Sequence, residues 1–331
     1  MNTYNNSLLY YKYILIITFI VAVTIFSNKL LAKSLTEISV VLDWTPNTNH
    51  TGIVVAKQLG YYAKEGLNVK IIQPSKASSE LLVAKNFANF GISSDEGSFI
   101  EALSKGMPII SIAAIIANDT SGFYSIKSKN INTPKDFEGK VYGSWGTNME
   151  IAILKAMMQQ YGADFNKVKI VTIGNIDIFR TKNIDFVWGF EAWTGIKAKI
   201  KNIQVNYIPV KNIINKGGYT PIIITNKYML ENKKDIIHKF MNATAKGYHY
   251  SIAHPKEAAH IFLEAYPELD KNLIITSQEY LSSAYKGTSS YWGYQNPKIW
   301  QQYLTWITTN NVINKKINLN QVFTNTFLPK H

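Results

Sequence analysis

The fold of this chain is decided around residues 42–52, which read LDWTPNTNHTG. Residues 38–42 end an apolar run that predicts a β-strand, and residues 53–57 predict the start of a helix. A Trp, two Asn and a His therefore stand at the end of a strand, where open α/β sheets bind their ligands. Because a buried loop would not carry so many side-chain hydrogen-bonding groups, these residues predict a ligand-binding loop.

Short apolar strands alternate with amphipathic helices after this loop. Strands are predicted at residues 67–71, 89–92 and 108–116, with helices at residues 79–87 and 98–105 between them. This order of elements implies a parallel sheet with helices on its faces.

A second α/β unit begins near Pro134. Its predicted strands and its first helix are residues 141–144, 168–173 and 185–188, and residues 148–161. A further apolar strand is predicted at residues 219–225. The rest of the chain is predicted to be mostly helical, with helices at residues 235–251, 255–265, 272–285 and 297–309.

Two α/β units that are joined twice predict an α/β fold of two lobes, with parallel-core sheets flanked by helices. The chain is expected to leave lobe one at residues 118–127 and to return at residues 219–226. Lobe one then contains residues 33–123 and 224–331, and lobe two contains residues 124–223. Two such crossovers form a hinge, and the cleft between the lobes is the expected ligand site.

Composition narrows the possible functions. With 0 Cys in 331 residues, the chain cannot use disulfides, thiolate nucleophiles, iron–sulfur clusters or Cys-ligated zinc. The formal net charge is +13, but Arg180 is the only Arg. Nucleic-acid and anion sites favour the planar fork of Arg, so we predict no nucleic-acid partner and disfavour a sulfonate-like ligand. Because P-loop, Gly-x-Ser-x-Gly and His-Glu-x-x-His motifs are missing, we predict no enzyme, metal or cofactor.

The N-terminus predicts export. Residues 14–26 are almost entirely apolar, Lys12 precedes them, and Ala32 supplies a small residue before a cleavage point. The run is shorter than the ~20 residues that span a bilayer, and it fits a signal peptide over residues 1–32. An uncleaved membrane anchor is the alternative. Without a Cys to carry a lipid anchor, the expected compartment is the periplasm.

Loops at the strand ends of both units supply nine candidate ligand-binding residues, which combine aromatic faces with carboxylates, an amide and an imidazole. They are Trp44, Asn47, His50, Asp95, Glu150, Trp188, Glu191, Trp193 and Tyr219. A flat ring that bears amine groups would stack on such aromatics, at about 1–3 kcal/mol for each ring. Each hydrogen bond from its amines to a carboxylate would add about 1.5–3 kcal/mol.

Seven of these residues also have a purely structural interpretation. Trp44 could belong to the core, Asn47 could be a turn residue, and His50 could start the next helix. Asp95 and Glu191 could be acids in the first turn of a helix, and Glu150 could be the acid of a capping box. Tyr219 could be packing at the hinge. For Glu191 we favour ligand contact, because it lies between Trp188 and Trp193 just beyond a predicted strand.

Two segments resemble a known family. The pattern Asp-Trp-x-Pro-Asn-x-Asn-His-Thr-Gly at residues 43–52 resembles the first block of periplasmic binding proteins for pyrimidine precursors of thiamine. Residues 188–195 carry the same specific resemblance, and more general blocks such as residues 60–69 extend it over residues 37–328. The fungal enzymes that make the same pyrimidine are relatives of these binding proteins.

The resemblance implies a type II periplasmic binding protein, the solute-binding component of an ABC importer. Its ligand would be a formylated or hydroxymethylated aminopyrimidine, and its partners would be the permease subunits in the inner membrane, with the protein itself a monomer. The alternatives are a binding protein for another small aromatic, flavin or sulfonate ligand, and a pyrimidine-phosphate synthase. The synthases use a Cys-rich, iron-associated segment, which a chain with 0 Cys does not contain.

Overall fold

The computed structural model describes residues 34–73, 76–172, 181, 183–212 and 218–329. Residues 37–331 form one compact unit, which contains nearly all of the described residues. The predicted signal peptide, residues 1–32, lies outside the described part of the chain.

The described residues contain ten strands. They are β1 Thr36–Val41, β2 Leu67–Ile72, β3 Phe90–Ser93, β4 Ile109–Ala114, β5 Ser121–Ile126, β6 Val141–Ser144, β7 Lys169–Thr172, β8 Phe186–Phe190, β9 Val205–Pro209 and β10 Ile222–Asn226. Two five-stranded sheets result, in the orders β2-β1-β3-β10-β4 and β7-β6-β8-β5-β9. The chain therefore builds four strands of the first sheet, then the whole second sheet, and returns to the first sheet with β10. This arrangement confirms the predicted pair of α/β units.

Each sheet is mixed rather than purely parallel. β3 runs parallel to β1, but β10 is antiparallel to β3 and β4. β6 runs parallel to β7 and β8, but β5 is antiparallel to β8 and β9. In both sheets the reversed strand is the one that the chain enters on changing sheets. Such a strand arrives without the crossover helix that keeps successive strands parallel.

β5 and β9 have no counterpart among the strands predicted from the sequence. β5 lies within residues 118–127, the expected first crossover, so the outward connection is residues 115–120. The expected lobe boundary between residues 123 and 124 falls inside β5. The sequence of β5, SGFYSI, is almost wholly buried. Its two Ser and one Gly interrupt the continuous apolar run that marks the other buried strands.

Eleven α-helices pack around the sheets in the described part of the chain. They are α1 Thr51–Gln58, α2 Tyr61–Lys64, α3 Ser79–Ala84, α4 Glu96–Ser104, α5 Asn148–Gln160, α6 Ile196–Ile200, α7 Lys227–Asn232, α8 Lys234–Ala253, α9 Pro255–Ala265, α10 Lys271–Ala284 and α11 Pro297–Thr309. A π-helix, Glu191–Gly195, joins β8 to α6. The four helices predicted after residue 234 are confirmed to within two residues at each end. Their starts are well marked because Pro255 and Pro297 occupy first-turn positions and Asp270 caps α10.

Aromatic stacking attaches the long helix α8 to the first sheet. The ring of Phe240 lies 3.9 Å from that of Phe90 on β3 and 5.5 Å from that of Tyr62 on α2. All three side chains are buried. Helix α8 is therefore held against the first sheet.

Helix α1 packs on α8 at very short range, because both helices carry a glycine at the contact. A Cβ atom at Gly52 would lie 2.3 Å from Cγ of Tyr248, and one at Gly247 would lie 1.9 Å from the carbonyl oxygen of Gly52. Tyr248 in turn donates a 2.7 Å hydrogen bond to the carbonyl oxygen of Asn49. The contact between the helices thereby sets the position of residues 42–52.

We expect Gly52→Ala to lower the free energy of unfolding by about 1–3 kcal/mol, because the added methyl group overpacks the Tyr248 ring. Urea denaturation monitored by circular dichroism would measure the change. Lys57→Ala, an exposed substitution on the same helix, is the control and should change stability by no more than about 0.5 kcal/mol. Equal stability of Gly52→Ala and the wild type would show that the Tyr248 ring can move aside without cost.

Candidate functional site

A cavity of about 660 Å³ lies where strands of the two sheets end. Its lining comes from the loops after β1, β3 and β6, from β8 and the π-helix that follows it, from the start of α6, and from the connections between the sheets. The main lining residues are Asp43, Trp44, Asn47, Thr48, Ser94, Asp95, Ile116, Thr120, Trp145, Trp188, Phe190, Ala192, Trp193, Thr194, Lys197, Thr220 and Pro221. Pockets of roughly 300–1,000 Å³ hold small organic ligands, so this cavity fits a ligand of that class.

One wall of the cavity is aromatic. The ring of Trp145 stacks on that of Trp188 at 5.7 Å and on that of Phe190 at 6.0 Å, with interplanar angles of 24° and 10°. Trp188 and Phe190 are two residues apart on β8, so their side chains lie on the same face of the strand. Trp145 follows β6, the parallel neighbour of β8, which brings the three rings together.

A second aromatic pair joins residues from the two sheets. Trp44 meets the edge of Trp193 at 6.1 Å with an interplanar angle of 76°. Trp44 and Trp145 are 37% and 38% exposed, whereas Trp is usually mostly buried. Trp44 is therefore not a core residue, and both indoles leave surface free in the cavity.

The loop after β1 holds an oriented carboxylate. The imidazole Nε2 of His50 lies 2.7 Å from Oδ1 of Asp43, and its Nδ1 accepts a 3.3 Å hydrogen bond from the backbone N–H of Asn47. Because Nδ1 accepts a hydrogen bond from a backbone N–H, the N–H of the neutral ring is on Nε2, and it donates a hydrogen bond to Asp43. His50 is fully buried and does not line the cavity, whereas Asp43 does. His50 therefore orients Asp43 towards the cavity from behind.

Asn47 lines the cavity and also shapes the loop. Its Oδ1 accepts a 2.9 Å hydrogen bond from the backbone N–H of Asn49, and its Nδ2 donates a 3.0 Å bond to the carbonyl oxygen of Thr45. The side chain thus caps the short helical turn Thr48–His50. Asn47 therefore caps this turn and also forms part of the cavity wall.

Asp95 likewise combines two positions. It lines the cavity, and it caps α4 by accepting a 2.8 Å hydrogen bond from the backbone N–H of Ser98. Its other oxygen accepts bonds of 2.9 Å from the hydroxyls of Ser94 and Ser98. Both carboxylate oxygens are thus engaged within the protein.

Glu150 lies outside the cavity lining and supports Trp145 instead. Its buried carboxylate accepts hydrogen bonds from the hydroxyls of Tyr142 and Ser144 and from the backbone N–H of Trp145 at 3.0 Å. Burial, together with the adjacent Glu150 carboxylate, raises the pKa of Tyr142 well above its ordinary range. Thr147 caps α5 by accepting a 3.2 Å hydrogen bond from the backbone N–H of Glu150. The reciprocal bond of the predicted capping box does not form, because the Glu150 carboxylate accepts from the backbone N–H groups of Trp145 and Gly146 instead.

Glu191 also lies outside the lining, although its neighbours Phe190 and Ala192 belong to it. Its carboxylate accepts a 2.5 Å hydrogen bond from the hydroxyl of Tyr124. It lies so close to Gly195 that a Cβ there would approach it to 2.8 Å. Glu191 therefore braces the π-helix that presents Trp193 to the cavity.

Tyr219 is buried in the return connection. Its hydroxyl accepts a 2.6 Å hydrogen bond from the backbone N–H of Asn296, and its ring packs 5.8 Å from that of Trp300. It is not among the cavity-lining residues. This location corresponds to the hinge-packing interpretation.

Several lining residues are absent from the sequence-based candidates. Thr120 and Thr220 lie on the two connections, and Lys197 lies at the start of α6. Thr120 and Lys197 escape prediction because neither β5 nor α6 is recognised in the sequence. Phe190 carries a usable signal, since it stands two residues after Trp188 on the same strand.

The lining is more acidic than the protein as a whole. Among its described residues the ionisable side chains are Asp43, Asp95 and Lys197. No three His, Asp or Glu side chains of the described residues are grouped as a metal site would require. Within the same residues, no helix has the length and apolar character needed to cross a membrane.

The chain belongs to the NMT1/THI5-like family, whose model matches residues 47–258. The formylaminopyrimidine-binding protein of Halalkalibacterium halodurans is 23% identical over 309 residues, which cover 88% of this chain and 90% of that protein. The 4-amino-5-hydroxymethyl-2-methylpyrimidine phosphate synthase of Legionella pneumophila is 24% identical over 302 residues, covering 88% and 92%. The resemblance inferred from residues 43–52 and 188–195 is thereby confirmed at the level of the family.

Solved structures show the same fold. The periplasmic aliphatic sulphonate binding protein of Escherichia coli superposes with a TM-score of 0.65, covering 90% of this chain and 95% of its own, at 14% identity. The predicted periplasmic binding protein fold is therefore confirmed.

A buried acid beside the cavity makes stability depend on pH. The carboxyl group of Glu96 is buried, with the backbone of Tyr219 beside it. Burial, with Asp119 and Asp95 close by, raises its pKa well above the ordinary value of 4.5. The folded state therefore binds this proton more tightly than the unfolded state does. The contribution of Glu96 to the free energy of unfolding therefore falls as the pH rises from about 4.5 towards the raised pKa.

We expect Glu96→Gln to raise the urea midpoint of unfolding at pH 7.5, because the amide needs no proton uptake on folding. The gain should shrink as the pH is lowered to 4.5. Glu101→Gln, which removes an exposed ion pair with Lys105, is the control and should show little change at either pH. A gain for Glu96→Gln that is independent of pH would contradict a raised pKa.

Proposed function

We propose that this protein is the periplasmic solute-binding component of an ABC importer and that it binds a thiamine-pyrimidine precursor in its cavity. The favoured ligands are a formylated and a hydroxymethylated aminopyrimidine. Family membership and the formylaminopyrimidine-binding relative support this ligand class. The proposal also takes residues 1–32 as a signal for export, and the ABC permease as the partner of a monomeric binding protein.

The observation that carries the proposal is the joint presence of exposed indoles and an oriented carboxylate. Trp145 and Trp44 offer faces for a flat ring, and Asp43 offers an acceptor for an amine on its edge. Stacking contributes about 1–3 kcal/mol for each ring, and a hydrogen bond to a charged acceptor about 1.5–3 kcal/mol. One sandwich and two or three such bonds reach ~8–12 kcal/mol, which corresponds to micromolar to nanomolar affinity.

The charges of the lining favour an amine-bearing ligand over an anion. Two carboxylates, Asp43 and Asp95, stand against one cation, Lys197, among the described lining residues. A sulfonate would be repelled by this balance, and Arg180, the only Arg, lies outside the described residues. A sulfonate ligand is therefore the weaker alternative, even though a sulphonate binding protein shares the fold.

Transport would follow from hinge closure. We infer two lobes that correspond to the two sheets, with residues 115–120 and 218–221 in the connections between them. The ligand would bind between the lobes and hold them together, and the closed form would dock on the permease. The energy for import would come from the importer's ATPase, so this chain would bind the pyrimidine without transforming it.

Pyrimidine-phosphate synthesis is the second candidate, because the Legionella pneumophila relative carries that name. The two functions can be separated by one assay. Incubation with pyridoxal phosphate, histidine and iron should yield no pyrimidine phosphate if the chain is a binding protein. Product formation would establish the synthase function.

We expect formylaminopyrimidine or 4-amino-5-hydroxymethyl-2-methylpyrimidine to raise the melting temperature of the protein and to bind with micromolar or better affinity. Thermal-shift measurements followed by calorimetry would test this, with riboflavin and an alkanesulfonate as comparison ligands. The absence of a shift with any aminopyrimidine at high concentration would overturn the proposed ligand. A shift with riboflavin alone would establish the flavin alternative.

We expect Asp43→Asn to weaken aminopyrimidine binding about 10- to 100-fold, since it removes the charge of the acceptor in the cavity. Asp235→Asn, on the exposed surface of α8, is the matched control and should bind normally. Glu191→Gln should weaken binding less than Asp43→Asn does, because the Glu191 carboxylate is bonded to Tyr124 outside the lining. The reverse ranking, measured by calorimetry on folded variants, would place Glu191 at the ligand.

A further inference from the structure

A buried chain of hydrogen bonds links the two sides of the cavity through a helix that does not line it. Ser277 of α10 is fully buried, and its Oγ lies 2.5 Å from the carbonyl oxygen of Ala192 and 2.6 Å from Oγ1 of Thr48. A serine hydroxyl has one proton, and the Ala192 carbonyl can only accept. Ser277 therefore donates to Ala192, and Thr48 donates to Ser277.

The two ends of this chain belong to different sheets. Thr48 lies in the loop after β1 of the first sheet, and Ala192 lies in the π-helix after β8 of the second sheet. Both residues line the cavity, whereas Ser277 does not. These two hydrogen bonds thus join opposite walls of the cavity through Ser277, separately from the two chain connections.

Apolar packing accompanies these hydrogen bonds. Trp193, the next residue of the π-helix, packs against the cluster of Val54, Ala259, Phe262 and Ile274 on helices α1, α9 and α10. Ser277 lies on α10, which is one of these three helices. The π-helix of the second sheet is therefore docked on first-sheet helices by one polar and one apolar contact.

We propose that Thr48, Ser277 and the Ala192 carbonyl form a closure latch, which stabilises the closed arrangement of the cavity whether or not ligand is present. Opening the cavity by moving the second sheet away would break the bond from Ser277 to Ala192 and expose Trp193. Each net hydrogen bond changes a two-state ratio by about two- to tenfold. Ser277 is a positioning residue, because it acts on affinity through Ala192 and Thr48 and lies outside the cavity lining.

The latch extends the proposed function and rests on it only for the ligand used in one arm of its test. A chain with 0 Cys allows clean double labelling with dyes at Lys155→Cys on α5 and Lys234→Cys on α8. Both positions are exposed, and they report on the second and the first sheet respectively. Single-molecule energy transfer then measures the closed-to-open ratio of the unliganded protein.

We expect Ser277→Ala to lower the closed-to-open ratio of the unliganded protein about tenfold. Thr48→Val should lower it in the same direction, and the double variant should be no more open than Ser277→Ala, because both bonds pass through Ser277. The matched control is Ser251→Ala, which removes another fully buried hydroxyl that bonds only within its own helix. Its ratio should equal that of the wild type, and equal unfolding midpoints of the two alanine variants exclude a folding defect as the cause.

In the ligand arm, stopped-flow tryptophan fluorescence with formylaminopyrimidine should show a dissociation rate about tenfold higher for Ser277→Ala and an unchanged association rate. An unliganded wild type without a closed population, or a Ser277→Ala variant with the wild-type distance distribution, would overturn the latch. The absence of formylaminopyrimidine binding to the wild type would overturn the proposed ligand instead, and the distance measurements would still decide the latch.

Discussion

The close approach of helices α1 and α8 is the constraint on which the site depends. A backbone carbonyl and an aromatic ring occupy the space that side chains at Gly52 and Gly247 would need. This contact places the hydroxyl of Tyr248 under the loop of residues 42–52, where it holds the carbonyl oxygen of Asn49. With the loop held from below, its own side chains can form the bonds that aim Asp43 at the cavity. The ligand site thus inherits its shape from a helix contact outside it.

The acids near the cavity have different tasks, and the hydrogen bonds of each one show which. The carboxylate of Glu150 accepts hydrogen bonds from a hydroxyl and a backbone N–H, and so fixes Trp145. The carboxylate of Glu191 accepts a hydrogen bond from the hydroxyl of Tyr124, and so fixes the π-helix. Asp95 caps a helix with one oxygen and accepts hydrogen bonds from two serine hydroxyls with the other. Asp43 differs from these acids, since its described partner is the single imidazole of His50. A carboxylate that is oriented but not saturated is the one suited to receive a ligand's amine.

Much of the fold could be predicted because local signals were strong. Continuous apolar runs marked β1, β4 and β10, and Pro or Asp at first-turn positions marked the C-terminal helices. The apolar pattern failed to predict strands whose buried residues include small or polar side chains, as in the SGFYSI sequence of β5. Since β5 is the first strand of the second sheet, its omission also concealed Thr120 as a lining residue. The direction of β5 and β10 within their sheets had no local signal, because strand direction follows from where the chain enters the sheet.

The sequence by itself determined the class of protein and the two segments that meet at the site, residues 42–52 and 188–195. The class followed from the family resemblance that these two segments carry, and the site segments followed from their pattern of aromatic and polar side chains at strand ends. Only the tertiary structure decided which of those side chains face the cavity. Three candidates had the right chemistry for ligand contact, yet each lies outside the lining and is hydrogen-bonded to another side chain of the protein. Glu191 is bonded to Tyr124, Glu150 to Tyr142, and His50 to Asp43. A side chain's direction depends on the partners that folding brings to it, and those partners are not adjacent in the chain.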